Sequence, residues 1–85
     1  MQNNKLFVRN LSFSTTDGEL SGLFADYGNV VSARMATERE TGRPRGFGFV
    51  EMSSQESAQD AIRGLDNREF NGRTMYVVMS EQRQQ

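Results

Sequence analysis

The stretch RGFGFVEM, residues 45–52, puts aromatic and charged side chains on one face of a predicted β-strand. Side chains alternate between the faces of a strand, so one face carries Arg45, Phe47, Phe49 and Glu51, and the other carries small and aliphatic residues. Packing the Phe face into a core would also bury both charges, which is costly unless they are paired. We therefore expect the aliphatic face to be buried and the rings to face solvent. A flat aromatic surface beside a guanidinium suits an unstacked nucleic-acid base and its phosphate.

The start of the chain shows the same division of side chains. A strand is predicted over residues 5–9 (KLFVR), which overlap the stretch LFVRNL at residues 6–11. Lys5, Phe7 and Arg9 share one face of this strand, and aliphatic residues occupy the other. An aromatic ring is therefore again expected beside cations, opposite a buried face.

These two stretches resemble the paired ribonucleoprotein signatures of the RNA recognition motif (RRM) family. RGFGFVEM fits the longer pattern, K/R-G-F/Y-G/A-F-V-x-F/Y, except at Met52, and LFVRNL resembles the shorter one. In the family, both motifs lie on adjacent central strands. The resemblance covers about residues 5–80 and implies an α+β fold: a βαββαβ ferredoxin-like sandwich, with a four-stranded antiparallel sheet and two helices on one face.

Two helical patterns fall between the predicted strands, as that fold requires. The first helix is expected to begin at Thr16, which can form a capping box with Glu19, and the second at Ser53, with Glu56. Gly28 is expected to end the first helix in a left-handed conformation. Each helix carries an apolar stripe at helical spacing, which we expect to pack on the sheet. The stripes are Leu20, Leu23, Phe24 and Tyr27, and Ala58, Ala61, Ile62 and Leu65.

The second strand is predicted at about residues 30–36, with Val30, Ala33 and Met35 as core positions. Because this spacing breaks strict alternation, we expect irregular geometry near Val31.

The last strand is predicted at about residues 74–79, with Met75 and Val77 in the core and Tyr76 on the aromatic face. Asn71-Gly72 is expected to form a tight turn just before this strand. Phe70 is expected to tuck under the edge of the sheet.

The net charge is only −1, but the charges are expected to separate in space. The open face and the predicted loop at residues 37–44 carry Lys5, Arg9, Arg34, Arg39, Arg43 and Arg45, opposed by Glu38, Glu40 and Glu51. The predicted helices carry Asp17, Glu19, Asp26, Glu56 and Asp60 against Arg63. The aromatic side should therefore be positive, which favours a polyanion at that face.

The resemblance implies a role for each residue of this surface. Phe7 and Phe49 would each stack on a base, Phe47 would pack against the sugars between them, and Arg45 would pair with a phosphate. The residues predicted to bind RNA are Lys5, Phe7, Arg9, Arg34, Arg43, Arg45, Phe47, Phe49 and Tyr76. The backbone at residues 78–80 would offer hydrogen bonds to base edges.

Plainer interpretations stay open for several residues. The rings of the third strand could pack under a loop or tail, and Arg9 and Arg34 could be merely solvated. Tyr76 could be exposed without touching RNA. Phe13 is expected to be half buried against the loop after the first strand, with RNA contact as the alternative. Asn10 matches a family position that mainly orders this loop.

Composition narrows the class of function. Eighty-five residues suffice for one small domain. The absence of Cys and His removes disulfides, thiolate chemistry and the commonest general base and metal ligand. No apolar run approaches membrane-spanning length, so no membrane partner is expected. We find no catalytic constellation and expect neither an enzyme nor a cofactor.

The predicted function is binding of single-stranded RNA, with single-stranded DNA bound more weakly, by a monomer. The domain would span residues 5–80, between flexible ends at residues 1–4 and 81–85. The alternative is a protein-interaction module that uses the acidic helix face. The resemblance to small bacterial and cold-responsive RRM proteins suggests a cytoplasmic location, or a nuclear one in a eukaryote.

Overall fold

The computed structural model describes residues 4–80, which form alternating strands and helices. The elements are β1 (Lys5–Arg9), α1 (Asp17–Ala25), β2 (Val30–Thr37), β3 (Pro44–Met52), α2 (Gln55–Leu65), β4 (Arg68–Phe70) and β5 (Arg73–Met79). The strands pair antiparallel in the order β2-β3-β1-β5-β4. This confirms the predicted α+β architecture, but the sheet has five strands rather than the predicted four, because residues 68–70 form the short edge strand β4.

The core lies between the two helices and one face of the sheet. Fully or almost fully buried side chains come from the sheet (Leu6, Val8, Val50, Met52, Met75 and Val77), from the helices (Leu20, Phe24, Ala58, Ala61 and Leu65) and from the loop residue Leu11. Tyr27 and Ile62, the outer members of the predicted helical stripes, pack against this cluster while partly exposed. Both helices therefore cover the same face of the sheet, and the other face stays open.

Helix α1 begins as its sequence predicts. The Thr16 hydroxyl accepts a hydrogen bond from the Glu19 backbone N–H at 3.1 Å, and the Thr16 N–H donates to the Glu19 carboxylate at 3.2 Å. This reciprocal capping box satisfies two backbone donors that the helix itself leaves unpaired. The helix ends earlier than expected, with Asp26 as its C-cap. The prediction of Gly28 as the cap is therefore wrong; a Cβ on Gly28 would collide with the Ser57 side chain of α2.

Helix α2 begins one residue later than predicted. Its N-cap is Ser54, whose hydroxyl accepts a hydrogen bond from the Ser57 N–H at 3.1 Å. Ser53 instead donates its backbone N–H to the Asn29 carbonyl at 2.9 Å. The predicted capping box between Ser53 and Glu56 is therefore wrong, because a long-range backbone bond holds the first of two adjacent serines outside the helix.

The edges of the sheet follow the local sequence. The pairing of β2 with β3 shifts register between Val30 and Ser32, which confirms the predicted irregularity at Val31. Asn71 and Gly72 both have positive φ, 53° and 83°, as the two-residue turn between β4 and β5 requires. Phe70 packs partly buried against the core, as expected.

Two further predictions concern the flexible ends of the chain and the lack of a segment long enough to span a membrane. The predicted flexible ends lie outside the described residues except for Asn4, whose carbonyl accepts a hydrogen bond from the Met52 N–H at 2.9 Å. Neither helix within residues 4–80 has the length and apolar composition needed to cross a bilayer.

Candidate nucleic-acid interface

Three phenylalanine rings form one continuous surface on the open face of the sheet. The register of β1 with β3 places Phe7 directly opposite Phe49, with ring centroids 5.3 Å apart and planes inclined by 25°. Phe47 stands edge-on to both, 5.5 Å from Phe7 and 6.2 Å from Phe49. Their sequence neighbours Leu6 and Val50 are fully buried on the opposite face. The predicted division of the two faces is therefore confirmed.

The rings are open enough to receive a flat ligand. Phe49 is 41% exposed, and Phe7 and Phe47 are half-buried, largely by one another. Val78 lies opposite Phe7 on β5 and is 42% exposed, so it extends the apolar surface. No binding role was predicted for the Val78 side chain, although strict alternation with the buried Val77 already places it on the open face.

Cations border this surface on several sides. Arg34 on β2 pairs in register with Phe49. The guanidinium of Arg45 lies 5.4 Å from the ring centroid of Phe47. The Arg45–Phe47 distance permits cation–π attraction, which is modest at an exposed site.

On the β5 side of the surface, Arg9 pairs in register with Tyr76. The Arg9 guanidinium lies 5.6 Å from the centroid of the Tyr76 ring. Lys5, at the far end of β1, pairs in register with Glu51. Alternation thus brings these predicted cations and Tyr76 onto the same face as the Phe rings.

The loop between β2 and β3 supplies the remaining predicted cation, Arg43. The residue is exposed, and its carbonyl accepts a hydrogen bond from the Glu38 N–H at 2.7 Å, which closes the loop. None of the ion pairs or cation–π contacts found within residues 4–80 joins the Arg43 side chain to the ring surface.

Glu38, in the same loop, lies close to Arg45, the residue predicted to bind a phosphate. Its carboxylate lies 3.9 Å from Nε of Arg45, and the two side chains are 54% and 51% exposed. An ion pair this long and this exposed contributes little to stability. It nevertheless places a carboxylate where a phosphate of a bound nucleic acid would approach the guanidinium.

Asn10 orders the end of β1, as the family resemblance implied. Its backbone has a positive φ of 61°, a conformation that Asn tolerates better than most residues. Its side-chain amide donates a hydrogen bond to the Thr74 carbonyl at 2.6 Å, and its carbonyl oxygen accepts one from Arg73 at 2.7 Å. The residue therefore ties the loop after β1 to the start of β5.

Phe13 differs from its prediction. Its ring is 67% exposed rather than half buried. The apolar space under this loop is taken by Leu11, which is 1% exposed. The Phe13 ring is left lying over the Gly46 backbone, where a Cβ would come within 3.0 Å of it.

A shallow pocket of about 350 Å³ opens beside Phe49. It is lined by Lys5, Ser32, Arg34, Phe49, Glu51 and Ser80. Ser80 was expected to offer its backbone to a base, but its N–H donates to the Lys5 carbonyl at 2.8 Å. That donor is therefore already used within the sheet.

No group of three or more carboxylate side chains within residues 4–80 converges in a way that could hold a metal ion. The carboxylates on the open face of the sheet are isolated from one another, among aromatic rings and cations.

Comparison with known families agrees with this geometry. The family model described as RNA recognition motif matches residues 6–76. The chain belongs to the RNA recognition motif family. The domain described here is therefore an RRM domain.

Two relatives illustrate how widely this domain is used. The chain is 46% identical over 79 residues to the putative RNA-binding protein RbpA of Nostoc sp., which covers 93% of this chain and 78% of that protein. It is 45% identical over 82 residues to the chloroplastic 31 kDa ribonucleoprotein of Nicotiana sylvestris, covering 96% of this chain but only 26% of that protein. The chain thus spans about a quarter of the length of this second relative.

Solved structures of other proteins share this backbone fold. The crystal structure of RNA binding protein PG1 superposes with a TM-score of 0.89 at 44% identity, covering 95% of this chain and 98% of that one. A structure described as a Sxl-lethal protein/RNA complex gives a TM-score of 0.85 at 35% identity, covering 92% of this chain and 48% of that one.

Proposed function

We propose that this RRM domain binds single-stranded RNA across the open face of its sheet. The observation that carries the proposal is the pair of Phe7 and Phe49, opposite each other on the two central strands, on the face that the helices leave uncovered. An exposed aromatic surface bordered by cations is what splayed bases and their phosphates require. The names of RbpA and of the Sxl-lethal complex, which refer to RNA, support the same proposal.

Each residue has a distinct role in this proposal. Phe7 and Phe49 each stack on one base, and each stack contributes about 1–3 kcal/mol of binding free energy. Phe47, which stands edge-on between them, packs against the intervening sugars. Arg45 pairs with a phosphate. The flanking contacts come from Lys5, Arg9, Arg34, Arg43 and Tyr76.

The proposed ligand preferences follow from the shape of the surface. A flat, open sheet offers stacking faces for unpaired bases, whereas reading a duplex in its major groove takes a helix or a narrow ribbon. Single-stranded DNA offers similar stacking faces but lacks the 2′-hydroxyl, so it is expected to bind more weakly. The proposed binding unit is a monomer of residues 5–80 that works without a cofactor or catalysis. A cytoplasmic location stays a prediction, since relatives include chloroplastic and mitochondrial proteins.

The alternative, a protein-docking site on the acidic helix face, is weakened by how its carboxylates are used. The Asp17 carboxylate accepts a hydrogen bond from the Met35 backbone N–H at 2.7 Å. Glu19 is engaged in the capping box of α1, and Asp60 pairs with Arg63. Three of the five predicted carboxylates are therefore already engaged within the domain.

Amide resonances distinguish the two faces directly. The full chain, labelled with nitrogen-15, is titrated with a seven-nucleotide single-stranded RNA, and fluorescence anisotropy compares this RNA with a duplex of the same sequence. We expect shifts at amides of β1 and β3 and weaker binding of the duplex. Shifts confined to α1 and α2, or tighter binding of the duplex, would contradict the proposal.

A further inference from the structure

The pocket beside Phe49 holds a carboxylate on a surface otherwise suited to a polyanion. Glu51 follows Phe49 by two residues, shares its face of β3 and is partly buried. A negative charge here repels phosphates, and its partial burial strengthens that repulsion. Glu51 therefore lowers the affinity of this face for a nucleic-acid backbone, unless it contacts a different part of the ligand.

A cross-strand charge pair is the simplest structural explanation for Glu51. It lies in register with Lys5 on one side and with Ser32 on the other, and opposite charges in such positions attract. None of the ion pairs found in residues 4–80 includes Glu51, however. Within residues 4–80 its carboxylate also accepts no side-chain hydrogen bond, and the residue lines the open pocket beside Phe49.

The pocket places a hydrogen-bond acceptor, the Glu51 carboxylate, and two cationic donors, Arg34 and Lys5, around a base stacked on Phe49. Same-face neighbours on a strand lie about 7 Å apart, and adjacent strands about 5 Å apart. The edge of a base stacked on Phe49 thus reaches the Glu51 carboxylate. Arg34 on β2 and Lys5 on β1 flank that edge, and both line the same pocket.

We propose that this pocket selects guanine for the base stacked on Phe49, and that Glu51 is the residue that reads it. The Watson–Crick edge of guanine presents two adjacent donors, N1–H and the 2-amino group, next to the O6 acceptor. A carboxylate has two acceptor oxygens and can receive both donors at once. Adenine, cytosine and uracil each present only one such donor on that edge. The cations flanking Glu51 supply donors for O6.

This inference rests on the proposed RNA function and deepens it by naming the preferred base. Glu51 is a specificity residue in this account, since it favours one base while disfavouring phosphates in general. Replacing it with Gln should therefore have opposite effects on guanine-containing RNA and on RNA that lacks guanine. That opposite sign separates base reading from a general effect of charge.

The test measures binding of the full chain to heptauridine RNA and to variants carrying one central guanine, inosine, adenine or cytosine, by fluorescence anisotropy. The wild-type chain should bind the guanine oligonucleotide about tenfold more tightly than the adenine, cytosine and uridine ones, as expected for a bidentate contact. Inosine lacks the 2-amino group and should fall between them. Equal binding of guanine and inosine, or preference for another base, would overturn the proposal without any variant.

Glu51→Gln should weaken binding of the guanine oligonucleotide most and of the inosine oligonucleotide less, because inosine keeps only the N1–H donor. The adenine, cytosine and uridine RNAs should bind slightly more tightly, because a negative charge is removed. The matched control is Glu40→Gln, which makes the same change of charge in the exposed loop between β2 and β3, and should affect all five RNAs alike. If Glu51→Gln also affects all five alike, Glu51 acts only through its charge and the inference fails. Phe49→Ala tests the proposed function separately, because it should weaken all five. A Phe49→Ala chain that binds every RNA like the wild type would refute the proposed function itself.

Discussion

Phe7 and Phe49 lie directly opposite each other on β1 and β3, with their ring centroids 5.3 Å apart. Each ring comes from a different sequence motif, and the antiparallel register alone brings them together. Because the same register buries Leu6 and Val50, one strand pairing determines both the core and the exposed aromatic surface.

Adjacent residues on β3 should therefore separate binding from stability. Phe49→Ala removes a ring that is 41% exposed and leaves no buried cavity. It should weaken RNA binding by about 1–3 kcal/mol. Its loss of stability should be smaller than that of a buried residue, because the ring gives up only its contacts with Phe7 and Phe47 on the open face.

Val50→Ala is the matched variant, since Val50 is fully buried. It should lower the free energy of unfolding by about 1–3 kcal/mol and the melting temperature by several degrees, while the folded fraction keeps its RNA affinity. Thermal melting and anisotropy measure both effects. The reverse pattern, with Phe49→Ala unfolded and Val50→Ala silent in stability, would show that the binding face is assigned to the wrong side of the sheet.

Salt dependence reports the phosphate contacts. Three or four such contacts should give a slope of log affinity against log salt of about −2 to −3. Arg45→Ala should weaken binding to all RNA sequences and flatten the slope by about 0.7, the contribution of one contact to a single strand. Arg63→Ala, which removes a cation from helix α2, should leave the slope unchanged. A slope that does not respond to Arg45→Ala would remove Arg45 from the phosphate contacts.

Glu38→Gln should increase RNA affinity at low salt. The Glu38 carboxylate lies 3.9 Å from Arg45 Nε and competes with phosphate for this cation. Because exposed ion pairs contribute at most about 1 kcal/mol, the gain should not exceed about fivefold, and stability should hardly change. The gain should disappear in an Arg45→Ala background, as a double-mutant cycle would show. A gain that persists there would indicate a general charge effect instead.

Two glycines should respond in opposite directions to alanine. A Cβ on Gly48 would lie 2.6 Å from the Arg34 carbonyl oxygen and 3.1 Å from Leu20 of α1, so Gly48→Ala should destabilise the domain by about 1–3 kcal/mol. A Cβ on Gly22, in the interior of α1, would meet no atom of another residue within 4 Å beyond its own helical turn. Gly22→Ala should stabilise the domain by about 0.5–1 kcal/mol. Urea denaturation measures both values, and a Gly48→Ala variant as stable as the wild type would show that β2 and the Leu20 side chain can shift to accommodate the methyl group.

The sequence by itself determined the two helices, the four longer strands and the faces of those strands, but not the short edge strand β4. Alternation over residues 45–52 was sufficient to place Phe47 and Phe49 opposite the buried Val50, and helical spacing was sufficient to identify Phe24 as core. The capping box at Thr16 was equally readable, since both of its partners lie within one helical turn. These features depend only on residues close together in the chain, so the periodicity of apolar residues or a short motif is enough to predict them.

Only the tertiary structure decided which residues from distant segments meet. It selected Ser54 over Ser53 as a helix cap through a backbone bond to Asn29, and it left Phe13 exposed because Leu11 fills the space beneath the loop. The pocket around Glu51 likewise combines three strands and the residue after β5. Such contacts depend on strand register and on competition for buried space, and both are settled by the packing of the whole domain rather than by any local pattern.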